Sequence, residues 1–165
     1  MPRFARVIVP ECPHHITQRG NAQRDVFFTP ADRQVYLGLL GRFAALYATH
    51  ILGYCLMSNH VHLVAVPAIN QSLANLMREV DVRYAQYRNA IDGSSGHLWQ
   101  NRYYSCAFEP SRLGSVLRYV ELNPVRAQMV RHADQYAWSS AIAHLGGADS
   151  AHVLDLDTWD WTPSD

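Results

Sequence analysis

Residues 51–66 read ILGYCLMSNHVHLVAV and contain the pattern that determines the fold. The runs Ile51 to Met57 and His60 to Val66 are short and largely apolar, and they are separated by Ser58-Asn59, a pair that favours a tight turn. Pro67 closes the second run, because proline cannot donate a ladder hydrogen bond. This stretch predicts a β-hairpin.

The segments that flank the hairpin carry alternating strand and helix patterns. Before it, the run His14 to Thr17 alternates as a strand does and ends at Arg19-Gly20-Asn21. A helix follows, with Thr29 as its N-cap and Pro30 at its first position, and its apolar spacing continues to about residue 48. After the hairpin, a second helix is predicted over about 72–89 and a strand over 103–108.

The C-terminal part predicts two more helices. Ser111 is expected to cap a helix with an apolar stripe, and Pro124 should end or kink it, since a proline inside a helix costs about 3 kcal/mol. A last helix is predicted over 138–145. The order strand, helix, two strands, helix, strand, helix predicts an α+β fold, a ferredoxin-like sandwich with helices packed on an antiparallel sheet.

Length and composition point to one globular domain. The chain has 165 residues, of which 48% are hydrophobic. No apolar run approaches the roughly 20 residues that span a bilayer, and the N-terminus lacks the apolar core of a signal peptide. The three cysteines, Cys12, Cys55 and Cys106, form no C-x-x-C pair. We therefore expect neither a disulfide framework nor a structural zinc site, and a cytoplasmic location.

Charge is distributed unevenly along the chain. All 14 basic residues are arginine and lie at or before Arg131, where they face eight acidic residues, a net charge of +6. Residues 132–165 hold six acidic residues and no arginine, a net charge of −6. The asymmetry indicates a body that binds a polyanion, although arginine use also follows from codon composition and acidic tails are often only solvated.

His60-Val61-His62 is the sharpest local feature. Because strand side chains alternate, both imidazoles point from one face, with their Cα atoms about 7 Å apart. This spacing allows the two rings to bind one cation. The alternative is a strand end that carries two polar residues with no ligand.

Tyr119 and Asn123 share one flank of the apolar stripe of the third predicted helix, one turn apart. A helix packed on the sheet by that stripe would hold both at the edge of the contact, beside the histidines. This arrangement makes Tyr119 a candidate nucleophile. The alternative is that Tyr119, one of nine tyrosines, only packs.

Four segments together resemble a known family. They are HITQRGN (15–21), MSNHVHLV (57–64), LWQNRY (98–103) and YVELNPVRA (119–127). In this order they are similar to the signatures of single-tyrosine, HUH-type transposases, and in particular to the branch associated with repetitive extragenic palindromes (REP). The resemblance extends from about residue 10 to 130.

The resemblance assigns roles to individual residues. It implies that His60 and His62 bind a divalent metal, Mg²⁺ or Mn²⁺, and that Tyr119 is the nucleophile. Asn123 occupies the place of a third ligand, where related insertion-sequence transposases commonly have glutamine. Residues 1–131 would form the catalytic domain, and 132–165 a C-terminal helix and acidic tail of the same domain.

The implied reaction is cleavage and rejoining of single-stranded DNA through a 5′-phosphotyrosine, with palindromic hairpins as the expected substrate. Phosphate contact and base stacking would fall to arginine, amide and aromatic side chains outside the metal site: Arg19, Asn21, Trp99, Arg102 and Tyr103. REP-associated relatives resemble monomers, which we expect here, with a dimer as the alternative. Two other functions stay open, a metal-dependent phosphodiesterase that uses water and a non-catalytic regulator that binds DNA hairpins.

The acidic tail has two interpretations. Trp159-Asp160-Trp161 joins acids to aromatics, so the tail is either docked on the core by its tryptophans or folded over the basic body in competition with DNA.

Overall fold

The computed structural model describes residues 5–158 and contains a four-stranded antiparallel sheet. Its strands are β1 (His14–Arg19), β2 (Thr49–Leu56), β3 (His60–Pro67) and β4 (Tyr104–Ala107), in the spatial order β2-β3-β1-β4. The predicted hairpin is confirmed as β2 and β3. The order is that of a ferredoxin-like sheet, so the predicted α+β class is confirmed.

Five α-helices accompany the sheet within the described chain: α1 (Pro30–Leu46), α2 (Ser72–Asp92), α3 (Leu113–Glu121), α4 (Asn123–Arg126) and α5 (Ala141–His144). Thr29 caps α1 as predicted, and Asp32 completes a reciprocal capping box with it. α2 ends at Gly93, whose φ of 64° suits a residue without a side chain. None of the helices in residues 5–158 has the length and apolarity needed to cross a bilayer.

The helices cover the two faces of the sheet differently. α1 and α2 bury one face, where Ile16 of β1 and Leu63 of β3 join their apolar stripes in the larger core. α3 packs on the other face through Leu117 and Val120, against Val64 and the β2 end of the sheet. The same face at the ends of β1 and β3 is left to polar side chains, and the candidate site lies there.

Two predicted helix boundaries were wrong. Ser111 does not cap the third helix, because Pro110–Arg112 forms a 3-10 turn and α3 begins only at Leu113. The last helix is restricted to α5, because the residues before it bond to β2 instead: Leu56 N–H donates to Trp138 O at 2.8 Å, and Tyr54 N–H to Ser140 Oγ at 3.0 Å. The interruption expected at Pro124 is confirmed, since α3 ends at Glu121 and α4 begins at Asn123, although φ and ψ of Leu122 between them stay in the helical region.

The described part of the acidic tail packs at the start of β2. Val153 is buried in the larger core, Asp155 N–H donates to Ile51 O at 2.8 Å, and the Asp155 carboxylate pairs with His50. This is the end of the sheet opposite His60. These residues are therefore packed on the core, which both interpretations of the tail allow, and Trp159-Asp160-Trp161 lies outside the described residues.

A buried carboxylate links α1 to α2. Asp32 is 1% exposed, accepts hydrogen bonds from the backbone N–H groups of Phe28 and Thr29, and pairs with Arg88 at 3.0 Å. Burial by itself would raise the pKa of Asp32, but these hydrogen bonds and the Arg88 charge lower it below its usual value. The ionised form is therefore the one that stabilises the fold.

We expect Asp32→Ala to lower the free energy of unfolding by about 3–5 kcal/mol, because it leaves the Arg88 guanidinium buried beside an empty position. Asp92→Ala is the matched control, since Asp92 also pairs with Arg88 but its side chain is 44% exposed, and it should cost less than about 1 kcal/mol. Urea denaturation at pH 7 measures both. Because the pKa of Asp32 is lowered in the folded state, the difference in unfolding free energy between Asp32→Ala and wild type should shrink as the pH falls through that pKa. Equal losses of unfolding free energy in the two variants would contradict the stabilising role of the buried Asp32 carboxylate.

Candidate functional site

The start of β3 places two histidines close together on the open face of the sheet, next to the end of β1. Antiparallel pairing sets Arg19 opposite His60 and Thr17 opposite His62. Residues opposite each other share a face, so these four side chains project to the same side. The ring centroids of His60 and His62 are 5.0 Å apart, and the rings are nearly perpendicular. The predicted spacing therefore does place the two imidazoles together.

His15 is a third histidine at this site, and the sequence reasoning assigned it no role. It lies two residues before Thr17 on β1, and its Nε2 is 3.0 Å from Nδ1 of His62. Strand alternation alone puts His15 on the face of Thr17. Its contact with His62, however, depends on the register between β1 and β3, which local sequence does not specify.

Tyr119 reaches the histidines from α3. Its ring centroid is 5.8 Å from that of His15 and 6.2 Å from that of His62, and it meets both rings nearly at right angles. Leu117 and Val120 bury the apolar side of α3, which leaves Tyr119 at the margin and 51% exposed. A phenol held in this way is accessible to a large substrate.

Arg126 also belongs to this part of the site. Its guanidinium carbon lies 4.4 Å from the centre of the Tyr119 ring, and one of its N–H groups donates to the Tyr119 carbonyl. The guanidinium is thus a fixed positive charge beside the phenol. The sequence reasoning gave Arg126 no role, although Arg126 lies in the segment 119–127 and ends α4, the short helix that contains Pro124.

Asn123 lies one turn after Tyr119, but it begins α4 and is not part of α3, because the helix is interrupted at Leu122. Its amide nitrogen donates to the carbonyls of Tyr119 at 3.3 Å and Val120 at 3.1 Å. These bonds hold the side chain against the end of α3. They do not use the amide oxygen, which is the atom that a cation would bind.

The histidines are held in the neutral form. Burial, followed by the nearby His60, His15, Arg19 and Arg126, lowers the pKa of His62 to about 3. Burial also lowers the pKa of His15 and of His60, and Arg19 adds to the effect at His60. Neutral imidazole is the form that binds metal ions.

The donor set fits a divalent metal in part. His60 Nδ1 lies 2.6 Å from Asn59 Oδ1 and His62 Nδ1 is engaged by His15, so both rings keep Nε2 for a ligand. Within residues 5–158, no three side chains of His, Cys, Asp or Glu converge as a metal site. A cation here would need other oxygen donors, such as the Asn123 amide, water or a phosphate.

The predicted DNA-contacting residues cluster around the end of β1. Arg19 and Asn21 are exposed there, and the backbone of 98–100 pairs with them, through Gln100 N–H to Arg19 O at 2.9 Å and Asn21 N–H to Leu98 O at 2.8 Å. Residues 98–103 and α2 line a cleft of about 710 Å³. The cleft includes the other three predicted residues, Trp99, Arg102 and Tyr103.

The side chains of Arg102, Trp99 and Tyr103 differ in how much of their surface a ligand could contact. Arg102 is exposed. Trp99 is partly buried, donates its indole N–H to Asp81 O at 3.0 Å, and packs against Tyr36 and Tyr84. Tyr103 is buried under the Arg6 guanidinium, 3.7 Å from its ring centre. Packing therefore accounts for much of both aromatic rings, and both residues also line the cleft.

Comparison with known proteins gives the family. Residues 8–123 match the family model described as IS200-like transposase, a span that includes His60, His62 and Tyr119 and ends at Asn123. The chain belongs to the IS200-like transposase family. It is accordingly a transposase, an enzyme of DNA transposition. No curated protein matches the sequence of this transposase.

Two solved structures are similar to the transposase. A REP-associated tyrosine transposase bound to a REP hairpin superposes with a TM-score of 0.71 at 15% identity, covering 100% of this chain and 94% of that one. A protein of Deinococcus radiodurans R1 assigned as a transposase gives a TM-score of 0.49 at 13% identity, covering 73% of this chain and 96% of that one. The first likeness confirms the fold.

The lowered pKa of His62 has a direct test. In the metal-free protein we expect the His62 ring to stay neutral from pH 8 to pH 5 and to titrate only near pH 3, whereas an ordinary histidine titrates near 6.5. NMR shifts of the imidazole carbon-bound protons measure this, with the urea-unfolded protein as the control. A folded-state midpoint near pH 6 would show that burial and the surrounding positive charges do not act on His62 as described.

Proposed function

We propose that this transposase cleaves and rejoins single-stranded hairpin DNA through a 5′-phosphotyrosine on Tyr119, beside a divalent cation, Mg²⁺ or Mn²⁺, held by His60, His62 and Asn123. One observation carries the proposal: the half-exposed Tyr119 ring lies 6.2 Å from His62 and, on the same face, His62 lies 5.0 Å from His60. A nucleophile and two neutral nitrogen ligands thus share one site.

The reaction exchanges one phosphodiester for another. Tyr119 Oη bonds to phosphorus while the bond from phosphorus to the 3′ oxygen breaks, so the 5′ phosphate stays on the tyrosine and the 3′ oxygen takes up a proton. In the reverse sense a 3′-OH attacks the phosphotyrosine and releases the phenol. No nucleotide cofactor is needed, because the bond energy is kept in the ester.

The phenol must lose its proton to react. A free tyrosine has a pKa near 10, so roughly one in a thousand is ionised at pH 7. The Arg126 guanidinium, 4.4 Å from the ring centre, supplies a positive charge that attracts the phosphate. A cation bound by His60 and His62 would polarise the scissile phosphate as a Lewis acid.

A groove leads to Tyr119 from the β4 side. It measures about 330 Å³ and lies between β4 and α3, with His15, Cys106, Arg112, Ser115 and Tyr119 among its lining residues. Arg112 supplies a positive charge for the DNA backbone along this route.

The hairpin substrate is proposed from three observations. The similar REP-associated transposase is bound to a REP hairpin. In this chain, Arg19, Asn21 and Arg102 provide exposed polar contacts at the end of β1, and Trp99 and Tyr103 line the adjoining cleft. Aromatic and arginine side chains together suit unpaired bases and their phosphates.

A single chain supplies the whole proposed site. His15, His62 and Tyr119 are in ring contact within one chain, so no second subunit is needed to bring nucleophile and ligands together. This supports a monomer that acts in cis. A dimer that exchanges α3 between subunits is the alternative.

Tyr119→Phe tests the nucleophile. The variant keeps the ring contacts but removes the hydroxyl, so hairpin DNA binding should stay within about twofold while the covalent protein–DNA adduct falls below detection. Incubation with single-stranded hairpin DNA and Mn²⁺, followed by a denaturing gel, measures the adduct.

Tyr104→Phe is the matched control, because Tyr104 is 63% exposed and lies on the same sheet face, opposite Thr17. Its adduct yield should equal that of wild type. Adduct formed by Tyr119→Phe at the wild-type rate would identify another nucleophile. If the wild-type protein cleaves DNA without forming an adduct, it is a phosphodiesterase that uses water. If it binds hairpin DNA without cleaving it, it is a non-catalytic regulator.

The metal ligands have a separate test. His60→Ala and His62→Ala should each abolish cleavage and weaken Mn²⁺ binding, whereas Asn123→Ala should do less damage because water can occupy a vacant oxygen position. Calorimetry with Mn²⁺ and the cleavage gel measure the two effects. His132→Ala, at an exposed histidine on another part of the surface, should match wild type. Full cleavage in excess chelator would refute the metal site.

A further inference from the structure

His15 and His62 lie side by side and not face to face. Their ring planes differ by 9°, their centroids are 5.2 Å apart, and Nε2 of His15 is 3.0 Å from Nδ1 of His62. Parallel planes cannot be farther apart than their closest atoms, so most of the 5.2 Å separation is lateral. The contact is therefore a hydrogen bond between two imidazole edges.

A hydrogen bond between two neutral imidazoles has two arrangements. In one, His62 Nδ1–H donates to His15 Nε2, and His62 keeps a lone pair on Nε2. In the other, His15 Nε2–H donates to His62 Nδ1, and the His62 proton is on Nε2. Only the first arrangement leaves His62 able to bind a metal through Nε2, the ring nitrogen that His15 does not engage.

We propose that His15 is a positioning residue of the metal site, which accepts the Nδ1–H of His62 and so presents the His62 Nε2 lone pair to the cation. This inference rests on the metal site proposed above. Metal-binding histidines commonly donate their second N–H to a carboxylate, a carbonyl or water, which fixes the ring and its tautomer. Here a neutral ring on the neighbouring strand has that function.

His60 has the same arrangement with a different acceptor. Its Nδ1 is 2.6 Å from Asn59 Oδ1, which likewise leaves Nε2 for a ligand. The two ligands thus have separate partners, Asn59 in the turn before β3 for His60 and His15 on β1 for His62. His15 also meets the Tyr119 ring, with 5.8 Å between the ring centroids, so one side chain contacts both the ligand and the nucleophile.

The tautomers can be measured directly in the full chain. Zn²⁺ is the probe, because it is diamagnetic and binds imidazole nitrogen. Long-range proton–nitrogen correlation NMR of the Zn²⁺-loaded protein should show His62 protonated at Nδ1 and His15 protonated at Nδ1 with an unprotonated Nε2. A proton on Nε2 of His15 in the loaded protein would overturn the proposal, and this measurement needs no variant.

Two substitutions separate the hydrogen bond from simple packing. In His15→Gln, the Oε1 atom is as many bonds from Cα as the histidine Nε2 and can accept the same N–H, so Mn²⁺ affinity should stay within about threefold of wild type. His15→Phe keeps a ring but has no acceptor, and Mn²⁺ affinity should fall about 10- to 100-fold, the usual loss when such a partner is removed. His97→Phe, in the exposed loop after α2, controls for loss of a histidine.

Calorimetric titration with Mn²⁺ gives three distinguishable results. Weak binding by His15→Phe with rescue by His15→Gln supports the proposal. Equal affinity of wild type and His15→Phe overturns it while the metal site stands. If wild-type protein binds neither Mn²⁺ nor Zn²⁺, in the absence and in the presence of hairpin DNA, the metal site itself is wrong and this inference falls with it.

Discussion

The antiparallel register between β1 and β3 is the constraint on which the site depends. It sets Thr17 opposite His62 and Arg19 opposite His60, and it brings His15 within 3.0 Å of His62. A slip of one residue would turn these β1 side chains to the face covered by α1 and α2. That slip is prevented by burial, because Ile16 would then leave the larger core. The apolar face of the sheet therefore fixes the chemistry of the polar face.

The second constraint is the interruption between α3 and α4. Pro124 cannot continue the hydrogen-bond pattern of α3, and the helix is interrupted at Leu122, between Glu121 and Asn123. α3 stays short, so Tyr119 lies near its C-terminal end and not in the middle of a long helix. α4 then directs Arg126 back over the Tyr119 ring. This one interruption thus places the Tyr119 phenol and the Arg126 guanidinium together.

Local sequence predicts those parts of this structure that depend on local interactions. The hairpin around Ser58-Asn59, the Thr29 cap and the break at Pro124 follow from turn chemistry and proline geometry, and all three are present. The wrong boundaries arise where distant groups compete: Trp138 and Ser140 bond to β2 instead of forming helix. His15 was not assigned for a related reason, since its partner is 47 residues away and only the strand register joins them.

The electrostatics of the site bear on how a cation would bind. Arg19 and Arg126 both contribute to the low pKa of His62, so they also oppose a bare divalent cation near its ring. Within the described residues, no three His, Cys, Asp or Glu side chains converge as a metal site. No such cluster therefore supplies a carboxylate that would offset this repulsion. A DNA phosphate would offset it, because it carries the negative charge and the oxygen donors that the protein side lacks. Under the proposed function, cation and DNA would therefore each strengthen the binding of the other. The arginines that weaken a metal site in the free protein thus favour its assembly around the substrate.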